Sequence, residues 1–460
     1  MRFRKLHMLV YPNILLNNMA KSIIYLDDIE PKVFSMYENC YVELEGNIKR
    51  ELFDKAIELS PRKSLSSLSE VLNEKLHLLS DSRNRAPIRL SLLRKLSNFL
   101  ISNGKKDFSM KTLEKSVKYL KGMGHGTKII KPNFPFNFKT PSGIRIISRL
   151  YHDGGIGRNR EPYYHNQNIE FVEEFCNDIK SIFGGIEIKI QKDQKKFYVE
   201  LPRLLGDIFE MVGCFLGTKV DNNPSPPKWI EKLDESLIKE FVKVAMDDEG
   251  SVGKRSIILN LSSDITSFLP RKIQVRVLQL PENKRTSFMR KYFNSHKHIA
   301  NRCISKILLF DQKLLSKLKI KSTGPRLGSC YTDKKRLRLR ATWSIQISSK
   351  NHIERFQKLI GFKSKHKNEK LETYIKNTRI VAKKNEKIIN FLRMTSEIEK
   401  EVGFSTDWLV ALKFNYHHQY LGRIRLKCES KNLIERIGKE GRKIKFILTD
   451  IGRQKLSMAH

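Results

Sequence analysis

Two acids in this chain stand where acids are out of place. Asp153 closes the stretch SGIRIISRLYHDGG, and Glu249 closes ESLIKEFVKVAMDDEGSVG. Ile144, Ile147 and Leu150 recur at helical spacing before the first, and Leu237, Phe241, Val244 and Ala245 before the second. Glycines follow both runs (Gly154 and Gly155, then Gly250) and are expected to end the helices by taking the left-handed conformation. Both acids then fall at helix C-termini, where partial negative charge favours Lys or Arg and an acid costs up to about 1 kcal/mol. Two such misplacements call for a compensating positive charge. A divalent cation held by carboxylate and carbonyl oxygens meets that need. Water on such a cation can attack a phosphodiester, and a second cation can stabilise the leaving oxygen.

Cations crowd both stretches. Arg158, Arg160 and Tyr164 follow Asp153, and Lys254 and Arg255 follow Glu249. The clearest strand pattern lies further on, in RLRLRATWSIQIS from Arg336 to Ser348. Leu337, Leu339, Ala341, Trp343, Ile345 and Ile347 would share one face. Arg336, Arg338, Arg340, Thr342, Ser344, Gln346 and Ser348 would share the other, which holds three Arg and no acid. A solvated face usually mixes Glu with Lys, whereas Arg concentrates where nucleic acid is bound. A two-stranded ribbon fits the major groove, where Arg reads guanine and Gln reads adenine. Arg158, Arg160, Tyr164, Lys254, Arg255, Arg336, Arg338, Arg340 and Gln346 are therefore the expected DNA contacts.

The elements that must position these residues are legible in part. The 460 residues leave room for several domains, and 40% hydrophobic content suffices for packed cores. Lys and Arg total 88 against 49 acids, a formal charge of +39 that points to a polyanion such as nucleic acid. No apolar run approaches a membrane span of roughly 18 residues, and no signal peptide is expected. The six scattered cysteines read as free thiols of a cytoplasmic protein rather than a disulfide framework. His296, His298 and Cys303 have loosely metal-like spacing but lack a second ligand pair. Residues 1–60 carry little periodicity. SLSSLSEVLNEKLHLL, APIRLSLLRKLSNFL and SMKTLEKSVKYL read as three helices, the first capped by Ser67 or Ser69 and the last starting at Ser109. GMGHGTKIIKPNFPFNFKTPSG reads as a connector. GIEIKIQKDQKKFYVEL reads as a hairpin with Ile186, Ile188 and Ile190 alternating on one arm and Phe197, Val199 and Leu201 on the other.

The paired acidic stretches resemble the dodecapeptide, or LAGLIDADG, motif of homing endonucleases, notably the archaeal and intein-borne type. LYHDGGI is similar to its first copy and VAMDDEGSV to its second. CFLGTKVDNNPSPPKWI and RFQKLIGFKSKHKNEKLE resemble the ends of the two halves. The resemblance covers residues 135 to 378. It implies an α+β fold of two tandem αββαββα half-domains, 135–235 and 236–378, forming a DNA-binding saddle. Asp153 and Glu249 would bind two or three Mg²⁺ ions, with Lys219 and either Lys365 or Lys367 near the scissile phosphate. The family places small residues between its central helices; Ser148 and Val244 stand there, and Tyr151 and His152 precede the first acid. Residues 61–128 resemble a helix-turn-helix domain of the lambda-repressor type, and residues 382–460, ending in KFILTDIGRQKL, a winged helix.

The resemblance implies a monomeric, internally pseudo-twofold, Mg²⁺-dependent endonuclease acting on double-stranded DNA. The alternative is a non-cleaving nucleic-acid binder on the same scaffold, either a transcription regulator or an intron maturase. Self-splicing is not expected, because the chain begins MRFRKL and ends SMAH without the nucleophile and His-Asn pair that splicing needs.

Overall fold

The structure is a computed structural model that describes residues 20–30, 33–34, 37–38, 40–122, 127–253, 256–333, 336–377, 387–441 and 443–458. The fold is mixed α+β, with several antiparallel sheets and many helices. The chain divides into two compact units: residues 1–348 with 355–368, and residues 349–354 with 369–460.

The first unit opens with a five-stranded sheet, in the order Gly185–Ile186, Lys128–Ile130, Val117–Lys121, Tyr41–Leu44 and Ile88–Arg89. Helices Gly46–Leu59, Leu65–Leu72, Leu76–Asn84 and Leu90–Ser102 accompany it. The expected helix from Ser64 to Leu79 is two helices. Ser64, rather than Ser67 or Ser69, caps the first through Ser67 N, and Asn73 ends it in the left-handed conformation at φ 48°. The short polar side chain of Asn tolerates that conformation, which the apolar period does not register. Ser109 does cap a helix, but only Met110–Leu113 follows, and VKYLK becomes a strand. Val117 and Leu120 are buried there while Lys118 is exposed, so a pleated surface takes residues that a helical count also accommodates. The Gly/Pro-rich connector contains strands Lys128–Ile130 and Phe136–Asn137. The hairpin is shorter than its alternation suggested: Ile186 pairs with Ile129 in another sheet, and Ile190 is 37% exposed.

The rest of this unit contains two similar runs. The first is α1 (Pro141–Tyr151), β1 (Gly155–Ile156), β2 (Pro162–Asn166), α2 (Ile169–Phe183), β3 (Gln191–Asp193), β4 (Lys196–Glu200) and α3 (Arg203–Val212). The second is α4 (Glu235–Glu249), β5 (Gly250–Val252), β6 (Ile257–Asp264), α5 (Lys306–Lys317), β7 (Thr323–Asp333) and β8 (Arg338–Ile347), with a short 3-10 helix and three α-helices between β6 and α5. Within each run the four strands lie in the order first, second, fourth, third: β1-β2-β4-β3 and β5-β6-β8-β7. β8 alternates as its sequence requires, with Leu339, Ala341, Trp343, Ile345 and Ile347 buried. Leu337 does not join them; it lies before the strand at φ 51° and is 73% exposed.

Helices α1 and α4 pack against each other. Thr140 caps α1 by accepting from Gly143 N, and Pro141 occupies its first turn, where the missing N–H costs nothing. Ile144, Ile147 and Leu150 are buried, and so is Ser148, whose Oγ donates to Phe241 O of α4 at 2.8 Å. A hydroxyl bonded to the neighbouring helix backbone requires close approach of the two helices. Val244 and Ala245 are also buried, so the bulk of Val244 is accommodated.

The second unit orders helices Lys387–Val402, Asp407–Phe414 and His418–Glu429, strands Ile434–Glu440 and Lys443–Leu448, and helix Asp450–Ser457. Its core gathers Phe391, Ile398, Val410, Leu421, Phe446 and Leu448. Ser405 bridges to Phe446 in an antiparallel pair.

Replacing Ser148 by Leu inserts bulk where the helix backbones approach and removes the bond to Phe241 O. A loss of about 1–3 kcal/mol is expected from overpacking. Urea unfolding would measure it, and an unchanged midpoint would mean that the helices are not held this closely.

Candidate active site

The helix ends bring Asp153, Asp248 and Glu249 into one electrostatic neighbourhood. α1 stops at Tyr151, His152 closes it at φ −105°, and Asp153 occupies the turn beyond. α4 runs through Glu249 itself. The following glycines are not left-handed, as they were expected to be: Gly250 sits at φ −81°, and Gly154 and Gly155 also lie outside the positive-φ region. Close approach is what requires them. A Cβ on Gly154 would stand 2.6 Å from Tyr163 O, and one on Gly250 would stand 2.4 Å from Met246 O. The first strand of each sheet leaves its helix too tightly for any side chain.

Burial raises the pKa of Asp153, and the charges of Lys219, His152 and Lys367 oppose that rise. Burial likewise raises Glu249, opposed by Lys219 and reinforced by Asp153. Asp248 is affected most: burial, followed by the charge of Asp153, pushes it up to about 7. Tyr164 OH donates to Asp248 Oδ1 at 2.9 Å, while the sealed Asp248 Oδ2 has no hydrogen-bond partner. Asn166 Nδ2 donates to Asp153 Oδ2 at 3.1 Å and lies 3.5 Å from Asp248 Oδ1, so one amide spans two carboxylates.

Two lysines face this group. Burial lowers the pKa of Lys219, against the pull of Glu249, Asp153 and Asp248. It lowers Lys367 too, against Asp247 and Asp248. Lys367 Nζ donates to Met246 O at 3.3 Å and to Asp247 O, which caps the negative end of α4. Lys365, the other candidate, is exposed. The third acid of the MDDE run serves a different purpose: Asp247 accepts from Lys363 N at 3.0 Å and Ser364 N at 3.2 Å.

The residues before Asp153 are structural anchors. Tyr151 is buried and donates to Gly213 O at 3.0 Å. His152 Nδ1 lies 2.7 Å from Ser148 O, and Nε2 lies 3.2 Å from Asp311 Oδ2 on α5. Burial opposes the imidazolium, but the charges of Asp311, Asp248 and Glu249, together with the Asp311 hydrogen bond, raise the His152 pKa. Beneath the acids, Arg145 and Arg149 share Asp178, while Arg145 reaches Glu240 of α4 at 3.0 Å.

The expected DNA contacts divide. Arg158 is exposed. Arg160 pairs with Asp207 and Glu210. Tyr164, expected on the DNA, is instead fully buried and committed to Asp248. Gln346 lies on the polar face of β8, half-buried. Arg336, Arg338 and Arg340 are all paired with acids: Asp221, Asp264 and Asp333. The strand carries no acid, but the neighbouring strands and a helical turn supply them. Lys254 and Arg255 lie outside the described residues. Asp248 and Asn166 are the site residues that motif reading misses. Asp248 had a signal, as a second acid beside Glu249; Asn166 had none.

No protein-family model matches the sequence, and no curated protein does. One solved structure, described as I-DmoI in complex with DNA and Ca, is similar at 10% identity and a TM-score of 0.26, over 48% of this chain and 90% of that one. A likeness that slight carries no inference about fold or chemistry.

Asp248 sets a pH dependence of stability. An acid with a raised pKa holds its proton longer in the folded state than in the unfolded state. Stability contributed by the protonated form is therefore present below the ordinary range near about 4 and is lost as pH rises through about 7. Asp248→Asn removes that loss. Its thermal midpoint, relative to that of the parent, should climb from about pH 4 to about pH 7. A difference that stays flat with pH would remove Asp248 as the cause.

Proposed function

We propose that the chain is a site-specific double-stranded DNA endonuclease of the LAGLIDADG type, with half-domains 135–235 and 236–378 forming a saddle over the duplex. The observation that carries this reading is the pairing of Asp153 and Glu249. They stand at the ends of two helices in direct contact, and each helix enters a sheet of the same strand order. The net charge of +39 supports a polyanionic partner. The helix–hairpin–helix order of residues 387–458 supports a winged helix that would add affinity or target choice.

The donor set suits a hard divalent cation such as Mg²⁺. Asp153 and Glu249 offer carboxylate oxygens, and Asp248 Oδ2 is buried without a partner. Among the described residues no group of three or more His, Cys, Asp or Glu is placed to hold a metal ion. Asp153 and Glu249 would therefore hold two or three Mg²⁺ ions together with solvent and substrate oxygens, as Mg²⁺ commonly is. When bound, the cations supply an activated water and stabilise the leaving oxygen. Lys219 would place positive charge beside the phosphate, where charge develops in the transition state. Asn166 would hold Asp153 in orientation.

Incubation with a library of duplexes and Mg²⁺ tests the reading. Cuts in both strands at a defined site are expected. Asp153→Asn or Glu249→Gln should each reduce cleavage by more than the roughly 10- to 100-fold typical of losing a supporting residue at a metal site. Lys219→Met should reduce it by about 100- to 1000-fold. One observation favours the alternative of a non-cleaving regulator or maturase: the ammonium of Lys367 is already committed to helix-end carbonyls. Salt-sensitive duplex binding without cuts on any sequence would establish that alternative.

A further inference from the structure

Alternate residues on a strand are about 7 Å apart, so Arg338 and Arg340 projecting singly from β8, with Arg336 just before it, would meet separate bases. Arg336, Arg338 and Arg340 converge instead on a single carboxylate. Arg336 Nη1 lies 2.5 Å from Asp221 Oδ2, and Arg338 Nη1 and Arg340 Nη2 lie 3.6 Å and 3.3 Å from Asp221 Oδ1. Arg338 also holds Asp264 at 3.1 Å, and Arg340 holds Asp333 at 2.6 Å. Asp264 and Asp333 belong to β6 and β7, the strands beside β8. Asp221 does not; it comes from the helical turn Lys219–Asn222.

That difference in origin matters. Asp264 and Asp333 are fixed in the sheet and offset two of the three arginine charges. Asp221 supplies the third negative charge from a separate segment. Removing it would leave one net positive charge and a ring of guanidinium donors around an oxyanion-sized position. The guanidinium fork suits phosphate as well as carboxylate. Arg336 and Arg338 keep 46% and 40% of their side chains exposed, so an incoming anion can reach them, while Arg340 at 12% forms the floor.

We propose that this cluster is a phosphodiester-binding site and that Asp221 holds the place of the phosphate in the free protein. A backbone phosphate of the duplex displaces Asp221 and takes over its three arginines. The ribbon arginines thus fix the position of the duplex and carry no base-reading role. The inference rests on the nucleic-acid reading above and deepens it by naming the group these arginines bind.

The test is binding of fluorescent duplexes of many sequences across a salt titration, followed by anisotropy. Asp221→Asn removes the competitor and should tighten binding on the order of 10-fold, uniformly across sequences. Arg338→Ala should weaken binding of all sequences alike and reduce the log–log salt slope by about one. Unchanged or weaker binding by a folded Asp221→Asn protein overturns the proposal. So does an Arg338→Ala variant that relaxes sequence preference with its salt slope intact. If thermal melting shows that Asp221→Asn does not fold, the Arg338→Ala result decides alone. Absence of salt-dependent duplex binding by the unaltered protein overturns the nucleic-acid reading itself, and this proposal with it.

Discussion

The contact between Ser148 Oγ and Phe241 O is the constraint on which the site depends. It holds two helix backbones close enough for the ends of both to share one small volume. Each end carries the negative pole of a helix and at least one acid. Like charges are thereby pressed together in surroundings that water cannot fully screen. Burial raises the pKa of Asp153, Asp248 and Glu249, and the charge of Asp153 adds to the rise of the other two. No packing requirement needs those carboxylates. A chain selected only for stability would place Lys, Arg or a neutral cap there, as Lys367 in fact caps part of α4.

The surroundings limit the damage without removing it. Arg145 and Arg149 lie under the acids, but Asp178 and Glu174 already occupy their guanidiniums. Buried pairs of this kind are costly to break and contribute little net stability when intact. Their effect is to fix α1 against α2, and Arg145 extends the hold to Glu240 on α4. His152 with Asp311 does the same between α1 and α5. These pairs tie the frame together while the carboxylates within it stay undercompensated.

How far the sequence disclosed this depended on whether a signal was local. Acids at helix ends are an electrostatic anomaly within one turn, so Asp153 and Glu249 were legible. The alternation of β8 was legible because every second residue from Leu339 to Ile347 is buried. What could not be read was anything fixed by pairing. The acids that hold Arg338 and Arg340 come from β6, β7 and a turn more than a hundred residues away, so a strand without acids looked like a free cationic face. Tyr164 follows two arginines in sequence, and only the fold turns its hydroxyl inward to Asp248. In the stretch from Ser109, Leu113, Val117 and Leu120 stand at helical spacing, and only pairing with Tyr41–Leu44, through a register shift between Glu43 and Leu44, makes a strand after the first turns.

The three consecutive acids of α4 show how partners assign roles that sequence leaves equal. Asp247 is taken by the amides of Lys363 and Ser364, so it ties the helix end to a later segment. Asp248 gives one oxygen to Tyr164 and has the other sealed without a partner. Among the described residues Glu249 accepts no hydrogen bond, and its strongest opposing influence is the charge of Lys219. In the first run Asp153 stands in the corresponding place and takes a single amide, from Asn166. The acid directly before glycine in each run thus keeps carboxylate oxygens without protein partners, and Asp248 keeps one as well. Partners therefore separate Asp247 from its two neighbours, while the acids before glycine are the ones that both helix ends misplace.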